Sequence, residues 1–271
     1  MLKKYALSPD IIAFSTQRAG GVSIGAYATF NATHYCGDDP QHVARNKQLL
    51  CEELGIPTSH LIVPHQVHDT RSLEINTTFL SSHLEKQSEL LEGVDAVYTT
   101  EKGVCVCVST ADCIPVLLYH AEAGLVAAIH AGWRGTCARI VEKTLSELKT
   151  KFQIAGQGFQ AVIGPGISLE SFEMGDEVYE AFRGEGFPME RIARRFPAAA
   201  GEKWHIDLWE CNRQQLLSQG IPETQIQVAG VCTYKNPDQF FSARRLGIRS
   251  GRTSVESCRF HNIHIICSFA G

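Results

Sequence analysis

The chain has 271 residues, 44% of them hydrophobic and 20% charged, with a formal net charge of −4. That length buries a substantial core, and the charge balance gives no basic footprint, so no nucleic-acid partner is expected. An acidic small molecule is not excluded, because a few arginines suffice to make a positive pocket in a mildly negative protein.

No apolar stretch reaches the length of a bilayer span, and the start MLKKYALSPDIIAF lacks the apolar run and small-residue cleavage pattern of a secretion signal. A cytoplasmic protein without a membrane partner is expected. Ten cysteines are scattered along the chain, and Cys105, Cys107, Cys232 and Cys267 sit in apolar strand-like runs. Most are expected to be free thiols that pack as small hydrophobes.

In chain order, Thr16 to Pro40 is dense in Gly, Ser, Asn and Asp and reads as turns and short strands around a loop. DDPQHVARNKQLLCEELGI predicts a helix with an Asp-Asp-Pro start and Gly55 as its stop. SHLIVPHQVHDTRSLEI reads as strand, loop, strand. The Val- and Ile-rich stretch from Asp95 to His120 adds strands broken at Glu101-Lys102-Gly103.

GLVAAIHA predicts a further strand, and GTCARIVEKTLSELKTKF one amphipathic helix behind it. FQAVIGPGI gives a strand and turn, EMGDEVYEAFRGEG and DLWECNRQQLLSQGI give helices, and Asp207 caps the second. Two further strands, IQVAGVCTY and the apolar tail NIHIICSFA, complete the pattern. Strands and helices that do not alternate regularly predict an α+β fold, taken as one domain over residues 1–271. A doubly wound parallel sheet is disfavoured, since no Gly-x-Gly-x-x-Gly follows a strand.

If CIPVLLYH and GLVAAIH form a hairpin turning at Ala121-Glu122, antiparallel pairing places Cys113 opposite His130 on one face. His68, in the polar loop HQVHD, is a third candidate. Two histidines and a cysteine can hold a tetrahedral zinc with one position open, or act without metal as a Cys–His nucleophilic pair. Each residue alone also fits a structural role, and no Cys-x-x-Cys pair sharpens the choice. His65 reads as a surface histidine and Trp133 as a core-packing residue. Glu173, Asp176 and Glu177 read as acids favoured before or within the first turn of a helix.

Eight segments then settle what spacing leaves open: QRAGGVS, GDDPQHVARNK, QVH, ADCIPVLLYH, AAIHAGWRGT, IGPGISLESFEMGDEV, DLWECNRQQLL and FFSARRLGIRSGR. In this order, from about Arg18 to Arg252, they resemble the laccase-domain family, also called the multicopper polyphenol oxidase or purine nucleoside phosphorylase family. Peptidoglycan editing factor and the metabolic regulator FAMIN are relatives. The resemblance implies a layered α/β/β/α sandwich with mixed and antiparallel sheets, similar in architecture to the catalytic domains of cytotoxic necrotizing factor toxins. It implies that His68, Cys113 and His130 share a zinc-bearing catalytic site. It also implies phosphorolysis of adenosine, inosine, guanosine or methylthioadenosine with phosphate as co-substrate, and adenosine deamination as a side activity. SARRLG departs from the family pattern, in which many relatives carry an Asp after the second Arg.

Phosphorolysis needs an anion site, for which Arg18, Arg134, Arg244 and Arg245 are the substrate-binding candidates because they lie in motif loops. Asp112 is the nearest acid to Cys113 in sequence, but strand alternation points it away. Copper is the alternative metal, yet laccase chemistry needs a histidine-rich oxygen site, and the chain has no His-x-His pair and only three methionines. Two further readings are a Cys113-dependent hydrolase or editing factor acting on peptidoglycan precursors, and a partner-binding protein with a closed structural zinc. A monomer or weak homodimer is expected.

Overall fold

The computed structural model describes residues 2–199 and 201–259. The predicted strand NIHIICSFA and Cys267 lie outside them. The first layer is a single helix, α1 (Pro40–Leu54). Its start is specified locally: Asp39 Oδ1 accepts the Gln41 N–H at 2.8 Å and proline occupies the first turn, where its missing N–H costs nothing. Gly55, at φ 66°, supplies the left-handed stop.

Below α1 lies a five-stranded mixed sheet in the order β1 (Leu2–Tyr5), β2 (Ile11–Thr16), β14 (Thr253–Arg259), β6 (Cys105–Thr110), β3 (Leu61–Ile62). Leu50, Cys51 and Leu54 of the helix pack on Phe14, Phe30, Cys105, Cys107 and Cys258 to form the first core. The second sheet has six strands, in the order β13 (Ile226–Val228), β9 (Phe159–Ile163), β7 (Ile114–His120), β8 (Leu125–Ala131), β5 (Ala96–Thr99), β4 (Ser72–Glu74). The inner faces of the two sheets meet in a second core that includes Ala13, Val106, Val108, Leu117, Val126, Ala128 and Val255. Two helices, α2 (Thr77–Leu80) and α3 (Leu84–Leu91), contribute Phe79 and Leu90 to this layer.

The outer face of the second sheet carries the third core, built with α5 (Ile140–Phe152), α6 (Asp176–Gly184), α7 (Met189–Ile192) and α8 (Leu208–Ser218). These layers form the expected α/β/β/α arrangement. A small antiparallel sheet, β10 (Glu173–Met174), β12 (Gly201–Ile206), β11 (Ala193–Ala198), attaches beside α6 and α7. Among the described residues, no helix is long and apolar enough to cross a membrane.

Both β7 and β8 are buried on both faces at every position, which is why they read as continuous apolar runs without a period of two. The chain still alternates: Leu125, Ala127 and Ile129 face the helices, while Val126 and Ala128 face the other sheet. His130 shares the parity of the second set.

Four expectations need correction. The helix predicted after GLVAAIHA is two, α4 (Trp133–Cys137) and α5, because Arg139 sits at φ 62° between them. Its guanidinium stacks on Phe187 at 4.4 Å and donates to the Glu185 carbonyl at 2.7 Å. The stretch from Thr16 to Pro40 contains no strand beyond Thr16; a polar network shapes it instead. IQVAGVCTY is a strand only over Ile226–Val228. Finally, Cys105 is not a free thiol: β6 and β14 pair it directly with Cys258, Cα to Cα 4.3 Å, as a disulfide. The other seven cysteines in the described residues are free.

Asn46, fully buried on α1, is the hub of that network. It accepts the Val22 N–H at 2.9 Å and donates to Ser23 Oγ at 2.9 Å and the Asn31 carbonyl at 2.8 Å. Truncating it strands several buried groups at once, so Asn46→Ala is expected to cost about 2–3 kcal/mol. Urea unfolding checks this: the midpoint falls while the slope stays unchanged.

β14 runs against the pattern of its neighbours. Thr253 Oγ1, Ser254 Oγ, Glu256 Oε1 and Ser257 Oγ are buried there with no hydrogen-bond partner among the described residues. Glu256 is 0% exposed, and burial pushes its carboxyl up to about 8.

Candidate functional site

The hairpin β7–β8 brings Cys113 and His130 to one end of the layer between the sheets, though not in the expected register. The connection is a four-residue turn, Ala121 to Gly124, with the Gly124 N–H donating to the Ala121 carbonyl at 3.0 Å. His130 therefore pairs with Pro115, and Cys113 lies just before β7 begins. Facing survives because the displacement moves Cys113 by two positions along its own side of the strand.

His68 arrives from the loop that crosses from β3 in one sheet to β4 in the other, and it adopts φ 66°. That conformation costs a non-glycine residue on the order of 1 kcal/mol. It is held by Asp95, fully buried just before β5 and across from His130 in the β5–β8 ladder. Asp95 Oδ1 accepts from the His68 N–H at 2.9 Å and the His130 Nδ1 at 2.7 Å. Asp95 Oδ2 accepts from the Val67 and Asp69 N–H groups at 3.1 and 3.0 Å. Burial opposes this charge, but the His130 partner and the backbone donors hold the carboxyl below its usual range.

The ligand atoms of His68, Cys113 and His130 all lie within 4.8 Å of one another; His68 is exposed, Cys113 half-buried and His130 buried. The two imidazole rings meet edge to face at 4.8 Å. Gly132 forms the floor. A Cβ there would stand 2.7 Å from His68 Cδ2, 3.1 Å from Cys113 Sγ and 3.6 Å from His130 Cε1, so only glycine leaves the cluster its space.

Burial alone would raise the Cys113 thiol. The charge and hydrogen bond of His130, joined by His68, outweigh it and hold the thiol at about 6. His130 is driven the other way: burial lowers it, but Cys113 and Asp95 lift it to about 9. The two groups thus push each other the same way, the thiol toward thiolate and the ring toward imidazolium.

Two imidazole nitrogens and one thiolate are the donor set of an open tetrahedral zinc site. The residues fit such an ion: they converge, a glycine clears the space, and one histidine has a carboxylate behind its second nitrogen. The trio forms a group by itself, with no fourth protein ligand grouped with it among the described residues.

Residues 12–255 match the family described as multi-copper polyphenol oxidoreductase laccase. The chain belongs to this family. It is 51% identical over 243 residues to a purine nucleoside phosphorylase of Bacteroides thetaiotaomicron, covering 90% of this chain and 89% of that one. It is 40% identical over 241 residues to the adenosine deaminase RL5 of an unknown prokaryotic organism, covering 89% and 91%. Among solved structures, YlmD from Geobacillus stearothermophilus superimposes with a TM-score of 0.85 at 31% identity over 93% of each chain.

The laccase-family motifs divide into those that build the trio and those that hold its surroundings. Asp112 lies outside β7 at φ 88°, so strand alternation does not govern it; its hydrogen bonds set its direction instead. Its carboxylate accepts from Thr233 Oγ1 and from the Arg244 N–H, both at 2.7 Å, so it ties the loops around Thr233 and Arg244 to the residue preceding Cys113. Each of the four candidate arginines lies over an aromatic ring: Arg18 on Phe241, Arg134 on Trp133, Arg244 on Phe172 and Arg245 on Tyr234.

They differ in what else they bind. Arg18 donates to the Ala28 and Pro237 carbonyls, Arg244 to the Glu173 carbonyl and Arg245 to the Tyr234 carbonyl. Arg244 and Arg245 lie on α9 (Ala243–Leu246), the short helix that follows Ser242. Arg134, exposed on α4 four residues after His130, has no protein acceptor for its guanidinium among the described residues.

His65 bonds Glu92 at 2.8 Å on the surface, and Trp133 packs partly buried on the third core, as expected. Sequence reasoning missed Asp95, Gly132 and Thr233. The signal available for Asp95 was an acid opening an otherwise apolar strand; for Gly132 it was its place beside His130.

Proposed function

We propose that the chain is a zinc-dependent purine nucleoside phosphorylase acting on adenosine, inosine, guanosine and methylthioadenosine, with adenosine deamination as a side activity. One observation carries the reading: His68, Cys113 and His130 converge within 4.8 Å in a chain 51% identical to a purine nucleoside phosphorylase. His68, Cys113 and His130 would hold the zinc. Bound there, it would supply Lewis acidity and bring the pKa of a water near neutrality.

The remaining work falls to the chain's own side chains. In phosphorolysis, a phosphate oxygen forms a bond to C1′ of the sugar as the bond to the purine nitrogen breaks; the purine leaves with the electron pair and takes up the proton released by phosphate, giving free base and the sugar 1-phosphate. Arg134 is assigned to the phosphate, because its planar fork is propped on Trp133 at 4.3 Å with its donors uncommitted. The other three arginines are assigned to holding loops.

A second reading keeps Cys113 as the nucleophile of a hydrolase or editing factor acting on peptidoglycan precursors. It is favoured by one observation, the Cys113 thiol lying within 4.8 Å of a His130 nitrogen, which draws the thiol toward thiolate.

Product analysis separates them. Incubated with adenosine or inosine, the protein is expected to release free base and ribose 1-phosphate, and with methylthioadenosine adenine and 5-methylthioribose 1-phosphate, only when phosphate is present. Arg134→Ala is expected to raise the KM for phosphate about 10- to 100-fold, the value of a lost charged hydrogen bond, with the nucleoside KM little changed. Inosine formed from adenosine without phosphate would make deamination the main reaction. Inactivation by thiol alkylation with no metal requirement would support the hydrolase instead.

A further inference from the structure

We infer that Asp95 is the positioning residue of this site, one carboxylate that sets both histidines at once. The inference rests on the metal-binding reading of the trio and adds the element that orients it.

The carboxylate takes four N–H donors, two on each oxygen: His68 N and His130 Nδ1 on Oδ1, Val67 N and Asp69 N on Oδ2. The His130 backbone N–H donates to the Asp95 carbonyl at 2.8 Å, so the same residue holds both ends of that histidine. Two consequences follow from this valence. His130 has its Nδ1 committed to the carboxylate as a donor, and only Nε2 remains to face Cys113 and an ion. The loop at His68 is wrapped around the second oxygen, which keeps a non-glycine residue in the left-handed region and delivers its ring to within 4.8 Å of the others. Asp95 touches no reacting atom; it acts through the two ligands.

An amide cannot replace it. An asparagine side chain in this place would offer one acceptor oxygen and one donor group, so half of the four N–H groups would face an NH₂. Asp95→Asn therefore tests the carboxylate while keeping the side-chain volume. Glu92→Gln is the control, because it removes another carboxylate–histidine bond of 2.8 Å, to His65, on the exposed flank of the same loop.

Zinc affinity is read by competition with a chelator, and ring tautomers by ¹⁵N NMR of labelled histidine. Asp95→Asn is expected to weaken zinc binding about 10- to 100-fold, while Glu92→Gln binds as the wild type does. The wild-type spectrum is expected to show His130 protonated at Nδ1 with and without zinc, a readout that needs no variant to fold. Hydrogen exchange at Val67, His68 and Asp69 is expected to accelerate in Asp95→Asn. Wild-type affinity and tautomer in Asp95→Asn, or a wild-type His130 that carries its proton on Nε2 and none on Nδ1, would overturn the assignment. If the wild type itself binds no stoichiometric zinc, the metal reading fails first, and the tautomer result then decides Asp95 alone.

Discussion

Gly132→Ala is expected to abolish stoichiometric zinc binding and turnover while leaving the fold intact. The backbone of Gly132, at φ −65° and ψ 167°, is open to any residue, so alanine brings no conformational penalty of its own. The effect comes from one methyl group placed 2.7 Å from His68 Cδ2 and 3.1 Å from Cys113 Sγ. The exposed His68 ring is the neighbour that must swing away, since its backbone is fixed by Asp95 and Cys113 adjoins Asp112, which is tied to Thr233 and Arg244. Displacing one ligand of three should weaken the ion by about 100-fold or more. Elemental analysis after gel filtration, paired with a thermal melt, checks it. Full zinc occupancy in the variant, or a melt collapsed to that of an unfolded chain, would show that the cluster is not shaped as described.

The second large effect lies outside the trio, in β14 of the other sheet. Glu256 is buried against Cys107 with Oε1 unpartnered among the described residues, and its carboxyl is pushed by burial up to about 8 from 4.5. The folded protein therefore holds this proton over a range where the unfolded chain has released it. Its contribution to stability is fully present below about pH 4.5, declines as pH rises, and is lost above about pH 8, at about 1.4 kcal/mol per pH unit between those limits. Glu256→Gln removes the titration but keeps the shape. The difference in unfolding free energy between wild type and variant should accordingly move in the variant's favour from about pH 5 to about pH 8. A difference that stays constant across that range would mean that Glu256 is ionised, or solvated, in the folded state.

What could be read from the sequence, and what could not, follows from where each signal resides. The convergence of the trio was legible through the family resemblance, which ADC, QVH and HAGWRG carry as contiguous motifs. Helices α1 and α8 were legible because Asp39, Gly55 and Asp207 mark their ends through local hydrogen bonds and backbone conformation. The hairpin register was not, since it depends on turn length, and Ala121 to Gly124 offers no two-residue turn signal beyond Gly124.

The break at Arg139 was hidden for a related reason: an arginine in the left-handed region is held by Phe187 and Glu185, distant in sequence. The Cys105–Cys258 pair spans 153 residues, and each cysteine alone resembles core filler. Asp95 is the clearest case. In VDAVYTT it is one acid at the start of an apolar strand, and its role exists only once β5 lies beside β8 and the His68 loop folds over it.

The central claim is that these three side chains form a zinc site that carries nucleoside phosphorolysis. The direct measurement is phosphorolysis of adenosine by protein stripped of metal and then titrated with zinc or with copper, beside a Cys113→Ala control. Activity that vanishes on stripping, returns to a plateau at one zinc per chain and never returns in Cys113→Ala is the predicted result. Activity that survives stripping, or that copper alone restores, would contradict it.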